Sequence, residues 1–398
     1  MADIKNYLKE KEKREQIQNN YKQKIKKHKL TSIYRVLLVV AVLAAAAVLI
    51  YMQYQRHIYT GYDIVASVER EKAEGAVDIR LKHSVLTYSK DGAHCTNPKG
   101  VVTWNQTYEI QEAQIATCRD MVAIGNYNGR KIYLGNTEGK VGEISTTMPI
   151  RDLTVSATGY VTAVLADEDV TWINTYNAEG KNIYEGETHM DNSGYPSALS
   201  LSPNGELLAV SYVYIDAGTI KTNVAFYNFG PVGKNQNDYM VGVHTYHDML
   251  VPMLQFMDDE TLFAVGDSRL MFFKGAQKPV SAREYLLDQE VQSVFYNEEY
   301  VGLVFMSDDS DAKYRMKVYN VDAEEIGDFY FNVDYNDIFF YQDTFTVYNE
   351  TDCLIMTLSG VEKYNGHFSK TVDLMIPTSG AYRYLLVTDG SIDTIQLR

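Results

Sequence analysis

The stretch SALSLSPNGELLAVSYV, from Ser197 to Val213, alternates small and apolar residues, breaks at Ser202-Pro203-Asn204-Gly205, and then alternates again. Alternation with period two on both sides of a Pro/Asn/Gly break reads as two strands and a turn. One such hairpin decides little. A fixed recurrence of it along the chain decides the fold.

It does recur. Strand starts of the same kind fall near His83, Asp120, Gly159, Glu206, Glu260, Glu299, Asp343 and Tyr382, at spacings of about 37 to 54 residues. A second kind of strand runs into a Gly, Asn or acidic turn, as in IYLGNTEGKV (Ile132–Val141), WINTYNAEGK (Trp172–Lys181), VAFYNFG (Val224–Gly230), MKVYNVDAEE (Met316–Glu325) and IMTLSGVEKY (Ile355–Tyr364). A third, short strand precedes each start, as in PIRDLTVS (Pro149–Ser156) and EVQSVFYN (Glu290–Asn297). A period near 40 with about four short strands per unit is the pattern of β-propeller blades. A single blade leaves both sheet faces apolar, and a closed array buries them. The chain therefore reads as an all-β propeller of seven or eight four-stranded blades, with eight preferred over seven and an open sandwich as the competing architecture. The last unit offers three strands: TVDLMIP (Thr371–Pro377), YRYLLVT (Tyr382–Thr388) and SIDTIQLR (Ser391–Arg398). The β-like stretch YDIVASV (Tyr62–Val68) is expected to supply the missing fourth and close the ring, because an orphan edge invites foreign pairing.

Ahead of the repeats the composition changes. Residues 1–35 hold 11 Lys/Arg against 4 Asp/Glu, whereas the rest holds 26 against 48. Between basic head and acidic body lies VLLVVAVLAAAAVLIYM (Val36–Met52), free of charge and flanked by Arg35 and Arg56. With its neighbours it approaches the roughly 20 residues that cross a bilayer core. The expected organisation is a basic cytoplasmic segment (1–34), a single transmembrane signal anchor (35–54) and an extracytoplasmic propeller (55–398). A cleaved signal peptide and a buried core helix are the competing readings. Lys22, Lys24, Lys26, Lys27 and Lys29 crowd the head side of the span, which sets the head inside and the body outside. The block KQKIKKHK (Lys22–Lys29) is read as a topology signal attracted to anionic headgroups rather than as a nucleic-acid site.

SLSPNGELLAVS (Ser200–Ser211) is similar to the strand turns of WD40-like and YVTN-like propellers. The anchor, PKGVVTWN (Pro98–Asn105), MPIRDLTVSATGYVTAV (Met148–Val164), GYPSALSLSPNGELLAVS (Gly194–Ser211), VAFYNFG and IDTIQLR (Ile392–Arg398) together resemble a family of uncharacterised single-pass envelope proteins of Firmicute-type bacteria. The chain departs from true WD40 repeats in lacking Gly-His…Trp-Asp pairs. The resemblance implies fold and topology, and no chemistry.

Chemistry is sparse. No G-x-S-x-G, H-E-x-x-H or P-loop occurs, and no catalytic residue, metal ligand or cofactor is nominated. His244 and His247 would face opposite sides of a strand, and His94 and His367 are isolated. Asp167-Glu168-Asp169, Asp258-Asp259-Glu260 and Asp308-Asp309-Ser310-Asp311 read as solvated turns, because none has the D-x-[DN]-x-[DN]-G spacing of a calcium loop. Three cysteines make no disulfide framework, although Cys95 and Cys118 could meet across neighbouring strands. Tyrosine is abundant, with 32 residues. Most suit strand packing. Tyr212, Tyr214 and Tyr227 flank a long blade insert around Asp216–Thr222 and, with Asp216, are the candidate binding residues; PVGKNQNDYM (Pro231–Met240) is a second polar insertion in the same widened blade. The leading functional reading is a membrane-tethered, non-enzymatic binding scaffold at the cell envelope. Its partners would be the bilayer through residues 35–54 and an envelope protein, peptide or wall glycan. The alternatives are a propeller-type glycan lyase or hydrolase, marked by convergent ionisable groups in a central pocket, and a signal transducer.

Overall fold

The computed structural model describes residues 2–55, 57–167, 170–189 and 194–398. The chain falls into two compact units, 1–58 and 59–398. The first is a single helix, Ala2–Gln55. Among the described residues no helix is long and apolar enough to cross a membrane. The expected span lies partly outside them, since the side chains of Val36 and residues 47–56 are not described.

The second unit contains eight antiparallel four-stranded sheets. Seven are continuous in sequence. The fourth blade, for example, is Tyr195–Leu201, Leu207–Asp216, Thr219–Asn228 and Met240–His247, from innermost to outermost strand. The eighth joins Leu374–Pro377, Arg383–Val387 and Ser391–Leu397 to Tyr62–Glu69, the first strand of the chain. Tyr62 pairs with Leu397 and Glu69 with Ser391. The ring thus has eight blades rather than seven, and its two ends close it as expected. All eight strand starts read from the sequence begin the second strand of a blade.

The second strands stand out because they lie between neighbouring blades and are buried on both faces. Every residue of Thr261–Val265 and of Thr344–Tyr348 is buried. Outermost strands alternate instead, as Met240–His247 does. Buried apolar clusters straddle each pair of neighbours around the ring, the fourth and fifth blades sharing the one around Phe226 and Phe273. In all seven continuous blades the pairing of third and fourth strands slips by one residue near their turn. A bulge raises local twist, which swings each outermost strand onto the next blade. Trp104 on the first blade accordingly donates its indole N–H to the Asn136 carbonyl of the second, at 2.5 Å.

The opening stretch is the inner hairpin of the fourth blade. Its turn is held from within. The Ser202 hydroxyl donates to Asn204 Oδ1 (2.7 Å), which also accepts the Glu206 N–H (2.9 Å), while Ser202 Oγ accepts the Leu207 N–H (2.9 Å). Gly205 adopts φ +79°, and a Cβ there would stand 2.9 Å from the Tyr160 ring of the third blade. Glycine is therefore required twice over.

Candidate functional site

Strands alternate in direction, so the turns between first and second strands all meet on one face, around the channel. Turns from blades one, two and four to eight line a cavity of about 760 Å³ there. Arg119 of blade two and Glu298 of blade six, opposite one another in a ring of eight, form an ion pair across it (Nε–Oε1 3.0 Å). Both side chains are substantially exposed, so the pair adds little stability. His83 donates from Nδ1 to the Pro377 carbonyl (2.8 Å) and lies edge-on to Tyr341. The Arg80 guanidinium stacks 4.3 Å from the Phe339 ring centroid and bonds to Asp337. Lys82, Arg119 and Gln342, at three of the tips, hold left-handed backbone (φ 57°, 57° and 53°). Glycine or asparagine would adopt that conformation at lower cost, so long polar side chains are kept at the rim against backbone preference. Burial pushes the neighbouring Cys118 thiol up to about 11 despite the pull of Arg119, so it is protonated at neutral pH.

The fourth blade carries the second site. Its two central strands are ten residues each, paired from Leu207↔Asn228 to Asp216↔Thr219. The inner neighbour stops pairing at Val213 and the outer one at Lys221. Tyr214–Asp216 run past the inner neighbour and Thr219 and Ile220 past the last outer pair, with the Ile220 carbonyl still accepting the Asp248 N–H (2.9 Å), so the hairpin tip stands out as a short two-stranded arm on the face opposite the channel mouth. Ala217 and Gly218 turn it with φ 51° and 81°, the left-handed pair of a tight hairpin. Ile215 and Ile220 pair across its strands and are 76% and 42% exposed. Asp216 and Lys221 form an ion pair beside them, and Lys221 holds the Asp216 carboxyl below the usual range.

Tyr212 and Tyr227 lie deeper on this blade, on the side facing blade three, with hydroxyls 2.8 Å apart. Both are buried, because the third blade's outermost strand, Asn182–His189, covers them. Its Tyr184 ring sits 5.7 Å from that of Tyr227. Gly186 makes room for it, since a Cβ there would come within 2.3 Å of the Tyr184 hydroxyl. The polar insertion folds into two 3-10 turns, Gly233–Asn235 and Asn237–Tyr239. They set Tyr239 edge-on to Tyr184 (5.7 Å) and Asp238 near Tyr184 and Tyr227. A cavity of about 460 Å³ remains between the blades. Burial raises the phenol pKa values of Tyr184, Tyr212 and Tyr227, which keeps all three neutral.

Of the four candidate residues, the structure thus joins Tyr212 with Tyr227 and sets Tyr214 and Asp216 apart on the arm. Tyr184, Asp238, Arg119 and Glu298 were not singled out in the sequence. Tyr184-x-Gly186 was the available signal for one of them, because an aromatic covering a glycine two positions away recurs on outermost strands at Tyr364/Gly366 and Phe329/Gly327.

Other sequence features take structural places. Asp258 Oδ1 accepts the Glu260 and Thr261 N–H groups, and Asp259 accepts the Asn204 N–H of the neighbouring blade (2.8 Å). Asp309 likewise accepts the Asp311 N–H. Glu168 and Asp169 lie outside the described residues. Among those described, no group of three His, Cys, Asp or Glu could hold a metal. His244 packs on Phe226 and Phe273 while His247 is exposed. Cys95 and Cys118 do not pair. Both are free: Cys95 is buried in the cluster that blades one and two share, and Cys118 packs against the one between blades two and three.

The chain belongs to a family of unknown function (DUF5711), whose profile matches residues 54–397. None of the curated proteins matches it. Solved structures similar to it include BamB from Moraxella catarrhalis (11% identity, TM-score 0.48, 85% of this chain and 100% of that one). Hsv2p of Kluyveromyces lactis (12%, 0.47, 75% and 99%) and hydrazine synthase of Kuenenia stuttgartiensis (9%, 0.46, 75% and 99%) are others. The eight-bladed ring itself is read from the strand pairing.

Proposed function

We propose that the protein is a membrane-tethered binding scaffold of a Firmicute-type cell envelope, whose propeller holds a protein partner outside the membrane by the arm of blade four. The observation that carries this reading is the exposed Ile215–Ile220 pair. The hairpin tip runs past its inner neighbour after Val213 and past its outer one before Lys221, and it exposes apolar surface there. Apolar surface presented this way marks an interaction site. The tether rests on the uncharged run 36–52 and its basic flank. Leu37, Leu38, Val39, Val40, Val42 and Leu43 are each more than half exposed along the helix, and a bilayer is the cover that such a surface fits. Positive charge on the head side supports the inside-to-outside orientation.

A photo-crosslinking residue at Ile215 in the full-length chain tests the scaffold reading in membranes. One discrete protein adduct is expected, lost when Ile220→Asp is added while the melting temperature stays within a few degrees. An adduct indifferent to Ile220→Asp, or none, overturns it. External protease on wall-free cells tests the tether: the propeller should be digested and a tag at residue 1 protected. Protection of both overturns the orientation.

The glycan-acting enzyme is the second reading, favoured by the convergence of Arg119, Asp120, Glu298 and Glu299 at the channel mouth. Turnover of wall fragments that Glu298→Gln abolishes would establish it over the scaffold.

A further inference from the structure

Blades three and four meet, as the other neighbours do, through an apolar cluster, and Tyr184, Tyr212 and Tyr227 belong to it. Beside that cluster a space of about 460 Å³ is left open. The polar insertion is longer than the equivalent turn of other blades, and it brings a carboxylate, Asp238, to the edge of that space. Asp238 itself sits in left-handed backbone (φ 53°), and Tyr239 follows it in the same region (φ 61°).

The chemistry of the walls is one-sided. The described residues that line the space include three carboxylates, Glu185, Glu187 and Asp238, and no Lys, Arg or His. Glu185 and Glu187 alternate with Tyr184 along an exposed edge strand and add to the field rather than to the floor. The chain after residue 35 carries 48 acidic against 26 basic residues, so the wider potential has the same sign. Neutral phenol rings offer negative faces to a cation. In the Tyr212–Tyr227 pair one hydroxyl donates to the other, which leaves lone pairs to receive an N–H.

We propose that this cavity is a receptor site for an organic cation, an alkylammonium or guanidinium head belonging either to a free amine or to a Lys or Arg side chain of a bound peptide. The head sits among the tyrosine rings and is balanced by Asp238. The site is independent of the arm.

Titration calorimetry on the full-length chain in detergent tests it with three probes: butylammonium, end-capped Ala-Lys-Ala and N-acetylglucosamine. Saturable binding of both cations and none of the neutral sugar is expected. Tighter binding of the peptide identifies a peptide ligand, and equal binding a free amine. Asp238→Asn, at an exposed position, should weaken cation binding about fivefold, and Tyr184→Leu about tenfold, while Tyr184→Phe, which keeps the ring, restores most of it. Ile215→Asp should leave it unchanged, which separates this site from the arm. Absence of cation binding overturns the proposal, as does binding of the sugar in its place or indifference to both Asp238→Asn and Tyr184→Leu.

Discussion

Between blades four and five, fourteen apolar side chains are buried in one cluster, contributed by both blades. Between blades eight and one the corresponding cluster has six, and Val85 alone comes from blade one. Charge takes the place of the missing apolar surface. The Asp78 side chain, 1% exposed, receives Arg70 (2.9 Å), Lys72 (3.4 Å) and the Thr87 hydroxyl (2.6 Å). Lys72 also reaches Asp373 at 2.8 Å and Asp389 at 3.5 Å on blade eight. Asp393, 2% exposed, holds Lys370 at 2.7 Å and the Ser67 hydroxyl. The difference follows from chain order. Blades four and five are adjacent in sequence, so non-directional packing is enough to join them. The eighth blade must capture a strand more than 300 residues away, in one register out of several. A directional contact across the two strands, the Ser67 hydroxyl on Asp393, adds to what the apolar pattern specifies about register.

Deletion of Ile392–Arg398 is the most severe test of this contrast. It removes the strand that Tyr62–Glu69 pairs with and strands that first strand outside any sheet. The expected result is loss of the cooperative thermal transition of the whole propeller, with proteolysis throughout. A truncated protein that kept its melting temperature would show that the ring does not depend on closure.

Matched substitutions at the two interfaces come next. Phe226→Ala, at a fully buried position between blades four and five, should cost about 3–5 kcal/mol. Asp78→Ala leaves Arg70 and Lys72 without their shared partner and should cost about 3 kcal/mol. Salt separates them: the Asp78→Ala deficit should shrink in 1 M NaCl, and that of Phe226→Ala should not. Equal salt response would erase the distinction drawn here.

The apolar half of this architecture was legible in the sequence and the polar half was not. Second strands such as Thr261–Val265 are buried on both faces, so they read as compact apolar runs and set the period. Closure was legible too, since three strands at one end and one at the other leave a single economical pairing. Arg119 and Glu298 meet only because the ring has eight members and their turns point inward, and no local pattern encodes a contact between residues 179 apart. Tyr184 was hidden for a similar reason: its partners Tyr227 and Asp238 belong to the next blade. Tyr212 and Tyr227 are covered because outermost strands swing across onto the following blade, a consequence of bulges that the sequence pattern does not display.

Acid should open the charged seam first. Burial alone would raise the Asp393 pKa, but hydrogen bonds from Lys370, Ser67 and Ser391 outweigh it and hold the carboxyl below its usual value. A depressed folded pKa contributes stability above the unfolded value, near 4, and that contribution is lost as the pH falls through the folded one. Hydrogen exchange in Tyr62–Glu69 and Ser391–Leu397 is therefore expected to accelerate below about pH 4, ahead of Thr261–Val265. Asp393→Asn should flatten the difference. Simultaneous acceleration in both regions would mean that Asp393 does not govern the seam.

The smallest effect on stability is expected at the arm, and there the contrast between structural and functional surface becomes measurable. Ile215→Asp changes a side chain that is 76% exposed, and its pairing partner Ile220 is itself partly exposed. Substitutions at such positions usually stay within about 0.5 kcal/mol, so the melting temperature should shift by no more than a degree or two. Nor should the carboxylate unfold the arm, because its backbone is held by the Ala217-Gly218 turn and by the strand pairs Tyr214↔Lys221, Ile215↔Ile220 and Asp216↔Thr219. The same change places a charge in the middle of the proposed contact, where burying it unpaired against a partner is costly. Partner capture should therefore fall by at least tenfold while the ring stays intact. A melting temperature that fell as far as it does in Phe226→Ala would make Ile215 part of the fold rather than part of an interface, and the arm would lose its claim to a partner.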